Sequence, residues 1–156
     1  TNITLGTNLS LSGTTLNATG GGSGSLSSRT DKAVTTTSLS ANGTDSTSNI
    51  TGAFKGYILY KAVISSAAWV RIYTDAASRT ADIGSGRTQT SDPTTPGVIA
   101  EFITTGTTSQ TVLIAPGIYG FNNESTPTTT IPIAVTNLGS SAASITVTLT
   151  LLQTEA

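Results

Sequence analysis

About one residue in three of this chain is Thr or Ser, and in several stretches Thr alternates with single aliphatics. β-Branched side chains are restricted at χ1 and pack well on a pleated surface. A chain of this kind therefore favours extended segments with a period of two over helices. The cleanest case is Ser144–Gln153 (SITVTLTLLQ), where Ile145, Val147, Leu149 and Leu151 are expected inward and Thr146, Thr148 and Thr150 outward. The hydrophobic fraction is 36%, below the globular norm of roughly 45–50%. At 156 residues, the chain has room for one domain or one domain with an appendage.

The polymer changes character near residue 53. All eight aromatic residues, Phe54, Tyr57, Tyr60, Trp69, Tyr73, Phe102, Tyr119 and Phe121, lie beyond it. Before it, the large apolar residues are Ile3, Leu5, Leu9, Leu11, Leu16, Leu26, Val34, Leu39 and Ile50, around a flexible-linker run at 17–24 (NATGGGSG). Nine aliphatics cannot offset the entropy of ordering some fifty backbones. Residues 1–52 are accordingly expected to be an extended arm held by something outside itself, with a strand over Ser27–Ser40 and a turn at Asn42-Gly43. Residues 53–156 are expected to form the sandwich, and a fragment starting near Gly52 to stay folded.

Within 53–156 the punctuation predicts strands over Gly56–Ser65, Ala68–Thr74, Gly97–Thr104, Ser109–Ala115, Ile118–Asn122, Thr129–Asn137 and Ser144–Gln153. In the second, Trp69, Arg71 and Tyr73 alternate against Val70 and Ile72. Pro116-Gly117 is expected to break the chain between strands, and Pro132, lacking an N–H, to mark an edge or a bulge. Asp75–Asp82 is the one helical stretch, with Asp75 as its cap. Short strands at regular spacing with little helix predict an all-β, antiparallel, jelly-roll-like β-sandwich with an extended N-terminal arm.

The composition narrows the chemistry. There is no Cys, His or Met, which removes disulfides, thiolate nucleophiles, Ser-His-Asp catalysis and imidazole ligands. Seven basic and eight acidic residues give a net charge of −1. No basic stripe exists to exchange counterions with phosphates, so no nucleic-acid partner is expected. No apolar run approaches the roughly 20 residues of a membrane span, and no signal-peptide pattern is present. Gly20–Gly24 lacks the Lys-Ser/Thr of a phosphate loop, and Gly84–Thr88 reads as a turn. Six Asn-x-Ser/Thr sequons, at Asn2, Asn8, Asn17, Asn42, Asn49 and Asn123, follow from composition.

The most site-like feature is the charged cluster Asp75, Arg79, Asp82, Arg87 and Asp92. Three carboxylates on one loop can in principle ligate a hard cation, but two arginines interleave them. The favoured reading is a loop pinned by Arg–carboxylate pairs or a contact surface with another subunit. Acid/base glycoside chemistry needs two carboxylates roughly 5–10 Å apart, and Glu101, Glu124 and Glu155 are scattered. No catalytic residue, cofactor or metal site is predicted.

The runs at 65–82 (SSAAWVRIYTDAASRTAD), 91–106 (SDPTTPGVIAEFITTG), 114–124 (IAPGIYGFNNE) and 131–156 (IPIAVTNLGSSAASITVTLTLLQTEA) resemble a small domain of tailed-bacteriophage virion structural proteins. The resemblance covers about 58–156. It implies a β-sandwich in a structural protein, most like a capsid decoration (cement) protein, with Asp75, Arg79, Asp82 and Asp92, together with Pro93 and Gly97, as a structural or lattice-facing loop. The implied role is to bridge subunits of the major capsid protein on the capsid exterior after assembly in the host cytoplasm, as a homo-oligomer and most simply a trimer. The alternatives are a tail-fibre or baseplate component binding host surface glycans through Tyr and Trp, and a bacterial surface module. On the cement reading Leu5, Leu9, Leu11 and Leu16 of the arm are the expected partner contacts, with Asp75, Arg79, Asp82, Arg87 and Asp92 on the sandwich.

Overall fold

The Thr/aliphatic alternation of the C-terminal run forms the centre of one of two packed sheets. In the computed structural model, which describes residues 9–18 and 27–156, this strand is Thr146–Glu155, with Val147, Leu149 and Leu151 fully buried and the intervening Thr residues half-exposed. The strands in chain order are β1 (Leu9–Ser12), β2 (Thr15–Ala18), β3 (Thr30–Thr35), β4 (Thr44–Asp45), β5 (Asn49–Ile50), β6 (Gly56–Ile64), β7 (Ala68–Tyr73), β8 (Val98–Thr104), β9 (Gln110–Phe121), β10 (Ile131–Asn137) and β11 (Thr146–Glu155). The single helix, α1, spans Ala76–Gly84 between β7 and β8.

Sheet I runs β4-β10-β7-β8, with β5 also pairing β10, and sheet II runs β3-β11-β6-β9. The pairs β3–β11, β4/β5–β10, β6–β9 and β7–β8 are all antiparallel. Treating β4 and β5 as one interrupted strand gives four nested antiparallel pairs rolled into two sheets, which is jelly-roll topology. The core between the sheets includes Tyr57, Leu59 and Ile64 from β6, Val70 and Ile72 from β7, Ile131, Ile133 and Val135 from β10, and the inward face of β11. Helix α1 lies against β7 and β10 of sheet I.

The residues read as an arm divide. β3 forms an edge of sheet II, in register with β11 from Thr35↔Thr146 to Thr30↔Leu151. Leu39 and Ile50 belong to the core cluster, with Val34 packed against it. Residues 30–50 are thus built into the sandwich, whose strands begin at Thr30 and not at 53. Asn42 takes φ 59° in the predicted turn. Ahead of these, β1 and β2 form a hairpin that pairs, among the described residues, only with itself.

Two further expectations are corrected. Pro116-Gly117 does not end a strand: β9 continues through it as one strand, and the insertion is absorbed by a register shift opposite Tyr60. Pro132 lies neither on an edge strand nor at a bulge, because β10 is interior to sheet I. It is tolerated because it sits one residue inside the start of the strand. The β7 ladder begins only at Ile133↔Ile72, so no partner for the missing N–H is required there.

Candidate functional site: a buried charge network on sheet I

Alternation along β7 turns Trp69, Arg71 and Tyr73 to the outer face of sheet I, where α1 and the loop after it close over them. Asp82, on the sheet-facing side of α1, is fully buried. Its carboxylate accepts from Tyr73 Oη at 2.7 Å, Arg71 Nη1 at 3.2 Å, Arg87 Nη2 at 3.1 Å and Arg87 Nε. Arg87 Nη1 donates to Glu101 Oε2 at 2.9 Å, and the Trp69 indole N–H donates to the same oxygen at 2.9 Å. The Arg71 guanidinium lies 3.9 Å from the Trp69 ring centroid and that of Arg87 lies 5.1 Å from it, both within cation–π range. Two arginines and two carboxylates make the network electrically neutral.

Burial pushes the Asp82 carboxyl up, but hydrogen bonds from Arg87 and Tyr73 and the charges of Arg87 and Arg71 outweigh it and hold the group below the ordinary carboxylate value. Burial also raises the Tyr73 phenol, reinforced by its bond to Asp82. For Arg87, burial opposes the charge while bonds to Asp82 and Glu101 favour it, and the favourable side prevails. With arginine permanently protonated and Asp82 saturated as an acceptor, Asp82 and Arg87 are held as a fixed ion pair. What the arrangement does is clamp α1 and the 85–91 loop to sheet I.

The other predicted residues serve the same end of the molecule in separate places. Asp75 caps α1, accepting from Ser78 N at 2.6 Å, Ser78 Oγ at 2.9 Å and Thr74 Oγ1 at 2.7 Å. Burial raises its pKa, but these bonds prevail and lower it. Glu124 accepts from Ala76 N at 2.9 Å, placing a second carboxylate at the helix N-terminus. Arg79 points the opposite way from Arg87: its Nη1 donates to Ser48 O, Asn49 Oδ1 and Ile133 O, tying α1 to the β4–β5 turn and to β10. Burial lowers its pKa. In that turn, Asp45 accepts from the backbone N–H and hydroxyl of both Thr47 and Ser48. Asp92 is exposed and joins no ion pair among the described residues. Leu9, Leu11 and Leu16 fall in the β1–β2 hairpin, and Leu5 lies outside the described residues.

Thus the structure joins Asp82 to Arg87 and leaves Asp75, Arg79 and Asp92 apart. The sequence reading missed Arg71, Tyr73, Trp69 and Glu101 as members, although the β7 alternation placed three of them on one face. Beside the network runs an open groove of about 300 Å³ lined by Asn42, Thr44, Ile83, Arg87, Gln89 and Thr136, among others. Trp69 and Arg71 also line the groove, but Trp69 is only 4% exposed. Comparison of the chain with family models, curated proteins and solved structures finds no match. The functional reading therefore rests on residues and geometry.

Proposed function

We propose that this chain is a structural protein of a bacteriophage virion, a cement protein that stabilises the shell by bridging major capsid protein subunits. The observation that carries this reading is the margin of the sandwich formed by β9. That strand carries no charged residue over twelve positions, yet it exposes Leu113 (77%), Tyr119 (59%) and Phe121 (43%) on an open sheet edge. Uncharged apolar edges invite pairing with another chain, and β9 is blunted only at Pro116-Gly117, by a proline and a register shift, between Gln110–Ile114 and Ile118–Phe121. On the other sheet, the ionisable groups around α1 are consumed in holding the helix in place, which suits a rigid binding module better than an enzyme. Jelly rolls occur in viral capsid and lectin domains alike, so fold alone does not choose between these roles.

A second reading, a tail-fibre or baseplate module binding host glycans, draws on the exposed rings of Tyr119 and Phe121, whose centroids are 6.5 Å apart. Copy number separates the two. On a gel of purified virions, band intensity near that of the major capsid protein supports cement, and a few per cent of it supports the tail. Absence from virions overturns both. Glycan or peptidoglycan turnover lost in Glu101→Gln or Asp75→Asn would overturn the non-enzymatic reading.

A further inference from the structure

We propose that the N-terminal hairpin β1–β2 of one copy adds to the open β9 edge of a second copy, so that the chain self-associates by exchanging arms. Two deficits in the structure complement each other. A two-stranded hairpin alone is marginal in water and needs a third strand. β1–β2 pairs only with itself among the described residues, with Leu9 opposite Ala18 and Leu11 opposite Leu16. β9, conversely, is paired on one side by β6 and, among the described residues, has no ladder on the other, its edge interrupted only at Pro116. Strand addition supplies the backbone partners that each lacks.

Charge favours a second copy as the occupant. No charged residue occurs before Arg29, and none occurs in β9, so identical chains meet here with no like-charge cost. The connection from Ala18 to Arg29 spans at most about 40 Å. The chain's own β9 lies only three strand spacings from β3, roughly 14 Å. The tether is thus long enough for a cis contact, yet among the described residues of one chain the hairpin pairs only with itself. The occupant of β9 is accordingly assigned to the hairpin of another copy, and reciprocal exchange closes the assembly.

The test is sedimentation velocity of the full chain over a hundredfold concentration range, with two full-length variants. Ser10→Pro/Asn17→Pro removes ladder donors from a cross-strand pair of the hairpin. Leu113→Lys/Phe121→Lys charges the edge at exposed positions, where circular dichroism and melting should stay near wild type. The full chain is expected to associate above its 15.7 kDa monomer, and each variant to associate at least about tenfold more weakly. Mixing the two variants should restore a heterodimer, because one supplies an intact hairpin and the other an intact edge. A full chain that stays monomeric, as a cis contact would require, overturns the proposal. So does association that survives in either variant, or a mixture that stays monomeric. On this inference the β9 backbone edge joins copies to one another and the shell is met by the remaining surface; self-association is measured on purified protein, so its failure leaves the virion reading standing, and absence from virions leaves arm exchange standing.

Discussion

Replacing Asp82 by Ala tests the central claim about sheet I, that a neutral buried network fastens α1 and its following loop. Asp82 is fully buried, and the side chains of Arg71 and Arg87 are 4% and 3% exposed. Removing the carboxylate leaves two guanidinium groups under the helix with only Glu101 as countercharge, and it strips Tyr73 Oη of its acceptor. Breaking a buried ion pair from one side costs about 3–5 kcal/mol. That is a large share of the roughly 5–15 kcal/mol that holds a domain together. Asp82→Asn preserves the volume but not the charge and should lose nearly as much. The assay is urea denaturation, with the stability change taken from the midpoint at constant slope. Removing the charges together, as Asp82→Leu/Arg71→Met/Arg87→Met/Glu101→Gln, should recover most of the loss, because well-packed apolar replacements of a buried ionic cluster are often neutral. A loss below about 1 kcal/mol in Asp82→Ala, the range of exposed pairs, would refute the reasoning by showing that the arginines find water.

Three other outcomes are expected. Deleting residues 1–51 removes β3–β5, Leu39 and Ile50 from the core and the Ser48 and Asn49 acceptors of Arg79, so the fragment should fail to give a cooperative melt while a chain starting at Ser27 melts near wild type; a folded 52–156 fragment would show that β11 and β10 tolerate bare edges. Gly97→Ala should lower the melting temperature by several degrees, since Gly97 has φ +94° and an added Cβ runs into the Ser78 side chain, with backbone strain alone costing about 1–3 kcal/mol; an unchanged melt would contradict this. Asp45, Asp75 and Asp82 all titrate below 3.8 in the folded chain, so their stabilisation is complete above that value and is lost as pH falls through the lower folded values; the urea midpoint should drop between about pH 4 and pH 2, and a flat profile there would show that these carboxylates gain nothing on folding.

What was legible in the sequence was whatever repeats at short range. The period-two run before the C-terminus gave β11 and its inward face, the apolar block at 56–65 gave β6, and Asp75 at the head of the one helical stretch gave the helix cap. The membership of residues 30–50 was not legible, because β4 and β5 are two residues each and too short to show a period. Their apolar anchors, Leu39 and Ile50, are isolated in Thr, Ser and Asn. Leu39 bridges Ala143, and Asn137 Nδ2 donates to Leu39 O and Ser40 O; these partners lie about a hundred residues away. The charged cluster was half legible for the same reason. Asp82 and Arg87 are five apart and meet across a helix end, whereas Arg71 reaches Asp82 only once α1 is laid across β7. Asp92 shares the loop but not the burial.

The distribution of charge ties the fold to the way this surface can meet a partner. Of fifteen charged residues, eight (Asp45, Arg71, Asp75, Arg79, Asp82, Arg87, Glu101 and Glu124) hold α1, its flanking loops and the β4–β5 turn in place. Several of the remaining seven are also engaged locally: Arg29 lies 4.4 Å from the Tyr60 ring centroid, Lys32 lies 5.8 Å from that of Phe54, and Asp31 accepts from Thr150. The surface left over is mostly hydroxyl, with apolar residues along β9. Such a surface cannot steer a partner from a distance, so encounter rates stay near the unsteered 10⁵–10⁶ M⁻¹s⁻¹, an order-of-magnitude range, and salt has little to screen. Selectivity must then come from backbone pairing at an open edge and from the fit of Leu113, Tyr119 and Phe121. Contacts of that kind are short-ranged and demand exact register. On the proposed assembly role, a rigid jelly roll with an ionically clamped helix on sheet I and an uncharged β9 margin on sheet II would serve that requirement together.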